Sequence, residues 1–167
     1  HYGLAYSNSI SIIDSSTNTV VGTPINVGNG PNSLIVNNGY LWVLCEGNAY
    51  SIPEIGGVLL KINLSNHAIE NSYTFGATSH PKNLQLYNNS LYYTVNSSIY
   101  KMSLTPIAPA TSISLPANAV FTSNLSTIYG FAVKSNRIYI GGFNTFGNNG
   151  TVNIHSLGET TSAIGTL

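Results

Sequence analysis

The sequence predicts an all-β fold, a β-propeller assembled from blades of four antiparallel strands. Three observations carry that prediction. Short β-branched and aromatic runs bounded by Asn, Gly and Ser recur along the whole chain. Equivalent runs return at a nearly constant period. No stretch longer than about a dozen residues shows the 3.6-residue periodicity of a helix.

The strands follow in order. Leu34, Leu84 and Phe131, 50 and 47 residues apart, each open an apolar stretch, and Leu41, Leu91 and Ile138 follow after seven residues. The intervening polar turns, Asn37-Asn38-Gly39, Asn88-Asn89-Ser90 and Lys134-Ser135-Asn136, make each pair a hairpin. The second strands read Tyr40-Leu41-Trp42-Val43, Leu91-Tyr92-Tyr93-Thr94 and Ile138-Tyr139-Ile140. Third strands read Ser9 to Ile13, Val58 to Ile62, Ser98 to Met102 and Val152 to Ile154, with clear alternation at Ser9 to Ile12. Fourth strands run through Val20-Val21, Ile69, Ile113 and Ile164. Pro31 and Pro81 stand at strand entrances, where a missing N–H is tolerated. Each sheet has two apolar faces and cannot cover both alone, so neighbouring copies bury one another. A β-sandwich is the alternative, but it does not require equivalent strands to recur at a fixed period.

The blades fall at about 1–28 (incomplete), 32–76, 83–117 and 129–167, within one domain over 1–167. In the first, Leu4 matches Leu41, which leaves the innermost strand missing. Two arrangements stay open: part of a larger propeller, or a closed four-bladed ring. An open arrangement exposes an apolar blade face at each end and favours self-association.

Composition narrows the function. Only 6% of the 167 residues are charged, and five basic residues cancel five acidic ones. That excludes a basic nucleic-acid platform and a polybasic membrane patch. The longest apolar run, Tyr40 to Cys45, is six residues, against about 18 for a bilayer-spanning helix, so no transmembrane segment is predicted. The single cysteine, Cys45, excludes an internal disulfide and reads as a small buried hydrophobe. With 22 Asn and 21 Ser, the surface is solvated by neutral hydrogen-bonding groups. Such surfaces are common outside the cell, so the expected location is extracellular or cell-surface, outer-membrane-anchored or secreted.

Acid–base groups are scarce. Asp14, the only aspartate, begins a turn between strands and reads as a cap of backbone N–H groups. No two of His1, His67, His80 and His155 lie at metal-ligand spacing, and no Ser sits in a nucleophile elbow. No catalytic residue, metal ligand or cofactor is assigned. The alternating chain direction instead gathers several loops on one face: 29–32, 46–56, 79–83 and 143–149, joined by 124–129. Long loops on a rigid scaffold carry function. The candidate ligand-binding residues on this face are Glu46, Tyr50, Glu54, His80, Lys82, Asn83, Tyr129, Phe143 and Phe146. Aromatics with a few amides suit a neutral ligand: a sugar such as a glycan, a corrinoid, or a loop of a protein partner. The expected function is therefore non-enzymatic binding. Two alternatives are a metal-assisted lyase or hydrolase using Glu46, Glu54 and His80, and a structural component of a surface layer or adhesive assembly.

Asn8-Ser9-Ile10-Ser11-Ile12-Ile13-Asp14, Thr17-Asn18-Thr19-Val20-Val21 and Val27-Gly28-Asn29-Gly30-Pro31-Asn32 resemble the YVTN-type (YncE-like) β-propeller repeat. Gly57 to Leu64 and Ser79-His80-Pro81-Lys82-Asn83-Leu84 are similar to the branch found in surface lipoproteins of Bacteroidetes. The resemblance covers nearly the whole chain. It implies a propeller of about seven blades, of which this chain holds about four. It also implies capture of a nutrient such as a corrinoid beside an outer-membrane transporter.

Overall fold

The computed structural model describes residues 7–104, 115–158 and 165–166. Every element among them is a β-strand. The chain divides into two compact units, His1–Lys82 and Asn83–Leu167. The expectations placed on Leu4, Ile113 and Ile164 lie outside the described residues.

In the first unit, β1 (Ser9–Asp14) and β2 (Thr19–Asn26) form a two-stranded sheet. β3 (Pro31–Asn37), β4 (Tyr40–Cys45), β5 (Val58–Asn63) and β6 (Ile69–Thr74) form a four-stranded antiparallel sheet in chain order. The turns follow from short polar side chains. Asp14 Oδ1 accepts from Ser16 N at 2.7 Å and Ser16 Oγ at 2.6 Å, and Asn18 takes a positive φ of 55°. Asn63 Oδ1 repeats the pattern with Ser65 N at 2.8 Å. Asn38 and Gly39 at φ 49° and 79° supply the pair of left-handed residues a tight hairpin needs. The core joins the two sheets: Val43, Cys45, Leu60 and Ile62 are buried, with Ile10, Ile25 and Val27 packed against them. The opposite face of the β1–β2 pair leaves Ile13 and Val20, cross-strand partners, exposed side by side.

In the second unit, β7 (Lys82–Tyr87, beginning on the last residue of the first unit), β8 (Ser90–Val95), β9 (Ser98–Ser103) and β10 (Phe121–Thr122) form one antiparallel sheet. β11 (Thr127–Lys134), β12 (Arg137–Phe143), β13 (Thr151–Ser156) and β14 (Gly165–Thr166) form the other. Asn88-Asn89 and Ser135-Asn136, all at positive φ, make the tight turns. The fourth strand of the first of these sheets pairs Phe121 with Ile99, and Phe121 is buried. Tyr92, Ile99, Phe121, Phe131, Val133, Ile138 and Ile140 belong to one core that both sheets share. Period-two alternation decides which side chains enter it: Phe131 and Val133 go in, while Ala132 and Lys134 stay exposed.

Candidate functional site

The first unit holds Glu46, Tyr50, Glu54, His80 and Lys82 on and beside one loop. The loop leaves β4 at Glu46 and rejoins the sheet at β5. Its base is fixed by backbone bonds: Glu46 N to Gly30 O at 2.9 Å, Gly47 N to Asn29 O at 2.8 Å, and Gly57 N to Ser79 O at 2.9 Å. Asn48 and Ile55 exchange two backbone bonds, at 2.7 and 3.0 Å, so the loop is a short arm rather than a floppy excursion. Gly47 sits at φ 82°, and a side chain there would collide with the Ile55 carbonyl. At the tip, Asn48 Oδ1 accepts from Tyr50 N at 2.9 Å, and Ser51 Oγ donates to Asn48 O at 3.0 Å. Ile52-Pro53 is a cis peptide. Tyr50 is 75% exposed and Ile52 fully exposed.

The titratable side chains hold this arm down. His80 Nδ1 lies 2.9 Å from Glu46 O, and His80 Nε2 lies 3.1 Å from Glu54 Oε2. Lys82 Nζ pairs with Glu46 Oε2 at 3.2 Å. Asn32 Nδ2 donates to Pro81 O at 3.0 Å and fixes the segment that carries His80. Both His80 nitrogens are thus engaged with the arm, and each carboxylate has a cationic or imidazole partner. Among the described residues, no group of three or more His, Cys, Asp or Glu is placed to hold a metal ion.

The second unit holds Asn83, Tyr129, Phe143 and Phe146. Asn83 lies in β7 at φ 59° and donates to Thr94 Oγ1 of β8 at 3.2 Å. Three aromatic residues gather at one end of the β11–β12 pair. Tyr129 and Phe143 approach with ring centroids 5.2 Å apart, and Phe143 and Phe146 at 6.2 Å in an edge-to-face arrangement. Tyr129 is 70% and Phe146 88% exposed, while Phe143 is half-buried.

The sequence predicts loops at Tyr129, Phe143, Lys82 and Asn83. They lie within strands, Tyr129 at a break in register and the others at strand ends. Ile52, the most exposed apolar side chain of the arm, is not among the residues the sequence points to, although an Ile-Pro pair inside a polar loop is a visible signal. Two buried polar groups lie in the second unit's core. The Tyr92 hydroxyl and both ring nitrogens of His155 have no hydrogen-bond partner among the described residues, and the His155 ring lies 4.3 Å from that of Phe121.

No protein-family model matches the sequence, and no curated protein matches it. Solved structures do. A chain of the mitotic checkpoint complex superposes with a TM-score of 0.63 at 11% identity, over 98% of this chain and 45% of its own. A protein described as the extracellular domain of a hybrid two-component system from B. thetaiotaomicron gives 0.58 at 17% identity, over 92% of this chain and 18% of its own. The computationally designed Ika8 protein gives 0.52 at 12% identity, over 96% and 46%. The chain therefore spans less than half the length of these structures. Together with the four-stranded antiparallel sheets, these propeller-like neighbours make the fold a β-propeller fold.

Proposed function

We propose that the chain belongs to a non-enzymatic binding protein of the cell surface, a YncE-like propeller that captures a nutrient or a protein partner through its loops. The observation that carries this reading is the contrast between loop bases and loop tips. The arm around Tyr50 and Ile52 is tied down by backbone bonds, by His80 and by the Lys82–Glu46 pair, yet its tip is exposed and apolar. An ordered loop holding apolar side chains in water loses little conformational entropy when it binds. A corrinoid handed to an outer-membrane transporter is the specific version that the repeat resemblance suggests. The engagement of Glu46, Glu54 and His80 with one another and with Lys82 supports holding the arm over acid–base chemistry.

Thermal-shift measurements against hydroxocobalamin and a panel of neutral oligosaccharides test the reading. The expected result is a rise in Tm for the natural chain that is lost when Tyr50, His80 and Phe146 are all changed to Ala. An equal rise in the triple variant, or chemical turnover of the bound compound, rejects it.

A further inference from the structure

We propose that Tyr129 and Phe146 form a platform for the apolar face of a neutral pyranose sugar. The inference rests on the binding reading above and names a ligand class for one loop of it.

The first observation is backbone geometry. In the β11–β12 pair, Ile128 faces Gly142 and Gly130 faces Gly141, so Tyr129 is the extra residue of a bulge. Bulges re-aim a side chain, and here the strand directs a large ring to the surface, where it is 70% exposed. Beside it the Gly130–Gly141 pair carries no side chains, and a Cβ built on Gly130 would meet nothing within 4 Å. The ring therefore borders an open backbone shelf.

The second observation is that the neighbouring loop is held in place. Ser126 Oγ lies 2.9 Å from Phe143 O and 2.6 Å from Asn144 O, and Ser126 N donates to Asn144 Oδ1 at 3.1 Å. Asn148 N donates to Thr145 O at 3.2 Å. Phe143 stands between the two exposed rings and contacts both, so Tyr129 and Phe146 are buttressed without being covered.

The third observation is chemical. Residues 125–131 and 141–152 contain no Asp, Glu, Lys, Arg or His. A charged peptide or a nucleotide finds no counter-charge in these segments. What they offer is aromatic faces with exposed amides and hydroxyls at Asn144, Thr145, Asn148 and Asn149. The negative face of an aromatic ring attracts polarised C–H groups. A pyranose presents such C–H groups on one face and hydroxyls around its edge, which amides can both donate to and accept from.

Titration calorimetry of the full chain with cellohexaose, xylohexaose, mannohexaose and maltohexaose tests the proposal. At least one is expected to bind saturably. Tyr129→Leu and Phe146→Leu, which keep apolar bulk but remove the ring, are each expected to weaken it by about tenfold or more. Tyr129→Phe is expected to retain binding, and an unchanged Tm identifies variants that fold. No heat from any of the four sugars at about 10 mM, or binding that survives both Leu variants, overturns the proposal. Loss of sugar binding alone, with another ligand still held through Tyr50 and His80, removes the sugar platform and leaves the broader binding reading standing.

Discussion

His80 reaches Glu54 across 26 residues of sequence, its Nε2 lying 3.1 Å from the carboxylate, while its Nδ1 lies 2.9 Å from the backbone carbonyl of Glu46. A carbonyl oxygen accepts only, and so does a carboxylate. Each of these acceptors faces a different ring nitrogen, so one side chain spans both. The imidazole is thereby a clamp across the two ends of the arm. His80→Ala should free the arm while leaving the sheets intact, because a half-exposed pair contributes only about 0–1 kcal/mol to global stability. Hydrogen exchange at the amides of Asn48 and Ile55 is expected to speed up by about tenfold, with no change in β4 or β5. Equal exchange in the variant and the natural chain would show that the backbone bonds alone hold the arm.

The clamp also marks where sequence reasoning reaches and where it stops. Hairpins were legible because their turns are local: Asn38-Gly39 announces two positive-φ residues, and the flanking alternation sets the register. Glu46, Glu54 and His80 were legible as candidates, but their pairing depends on how distant strands place them. The two-residue strand β10 carries too little periodicity to be read from sequence, and its position is set by Phe121 filling the core beside Ile99 and His155. The connection expected over 124–129 is shorter than the sequence suggests, because β11 already begins at Thr127 and carries Tyr129 at a bulge, where alternation breaks.

Close backbone approach makes some glycines irreplaceable. A Cβ on Gly57 would strike the Pro81 ring and the Cys45 carbonyl, atoms with no room to yield. Gly57→Ala is expected to cost about 1–3 kcal/mol, as overpacking does. Gly130→Ala, with open space at its Cβ, is expected to stay within about 0.5 kcal/mol of the natural chain. Urea unfolding of both variants measures the contrast, and equal midpoints would contradict the packing described at Pro81.

Tyr92 is fully buried, and its hydroxyl has no hydrogen-bond partner among the described residues. Burial pushes its phenol above the ordinary range. A desolvated hydroxyl without a partner costs free energy that a C–H does not. Tyr92→Phe should therefore be neutral or stabilising by up to about 1 kcal/mol, read as a raised urea midpoint. A loss of stability would reveal a bond to the hydroxyl.

Cys45 is buried in the core of the first unit. Burial pushes its thiol up to about 11, only partly offset by a backbone hydrogen bond involving Gly28. The nucleophile in thiol chemistry is the thiolate. A disulfide reagent at about pH 8 should leave Cys45 unmodified in the folded chain and react in urea. Because the folded thiol holds its proton more tightly than the unfolded one, its contribution to stability is complete below the unfolded value and declines as pH rises toward 11. Stoichiometric labelling of the native chain would show that the β4–β5 core opens.

Glu70 binds the side chains of Asn63 at 2.9 Å and Lys61 at 3.1 Å, and Lys61 Nζ also lies 3.6 Å from the centre of the Tyr40 ring. The Asn63 bond first and the Lys61 bond second hold its carboxyl below the ordinary value of 4.5. Asp14 is lowered likewise, first by the Ser16 hydroxyl and then by the backbone N–H groups of Ser16 and Thr17. A carboxyl with a lower value folded than unfolded stabilises the fold above the unfolded value, and that stabilisation disappears as pH falls through the folded value. Both groups therefore favour the folded first unit at neutral pH and cease to do so in acid. Glu70→Gln and Asp14→Asn should each lower Tm near pH 7 and match the natural chain near pH 2, where the carboxyls are protonated. A Tm difference that keeps its size across that span would mean that the turns are held by shape and neutral hydrogen bonds rather than by charge.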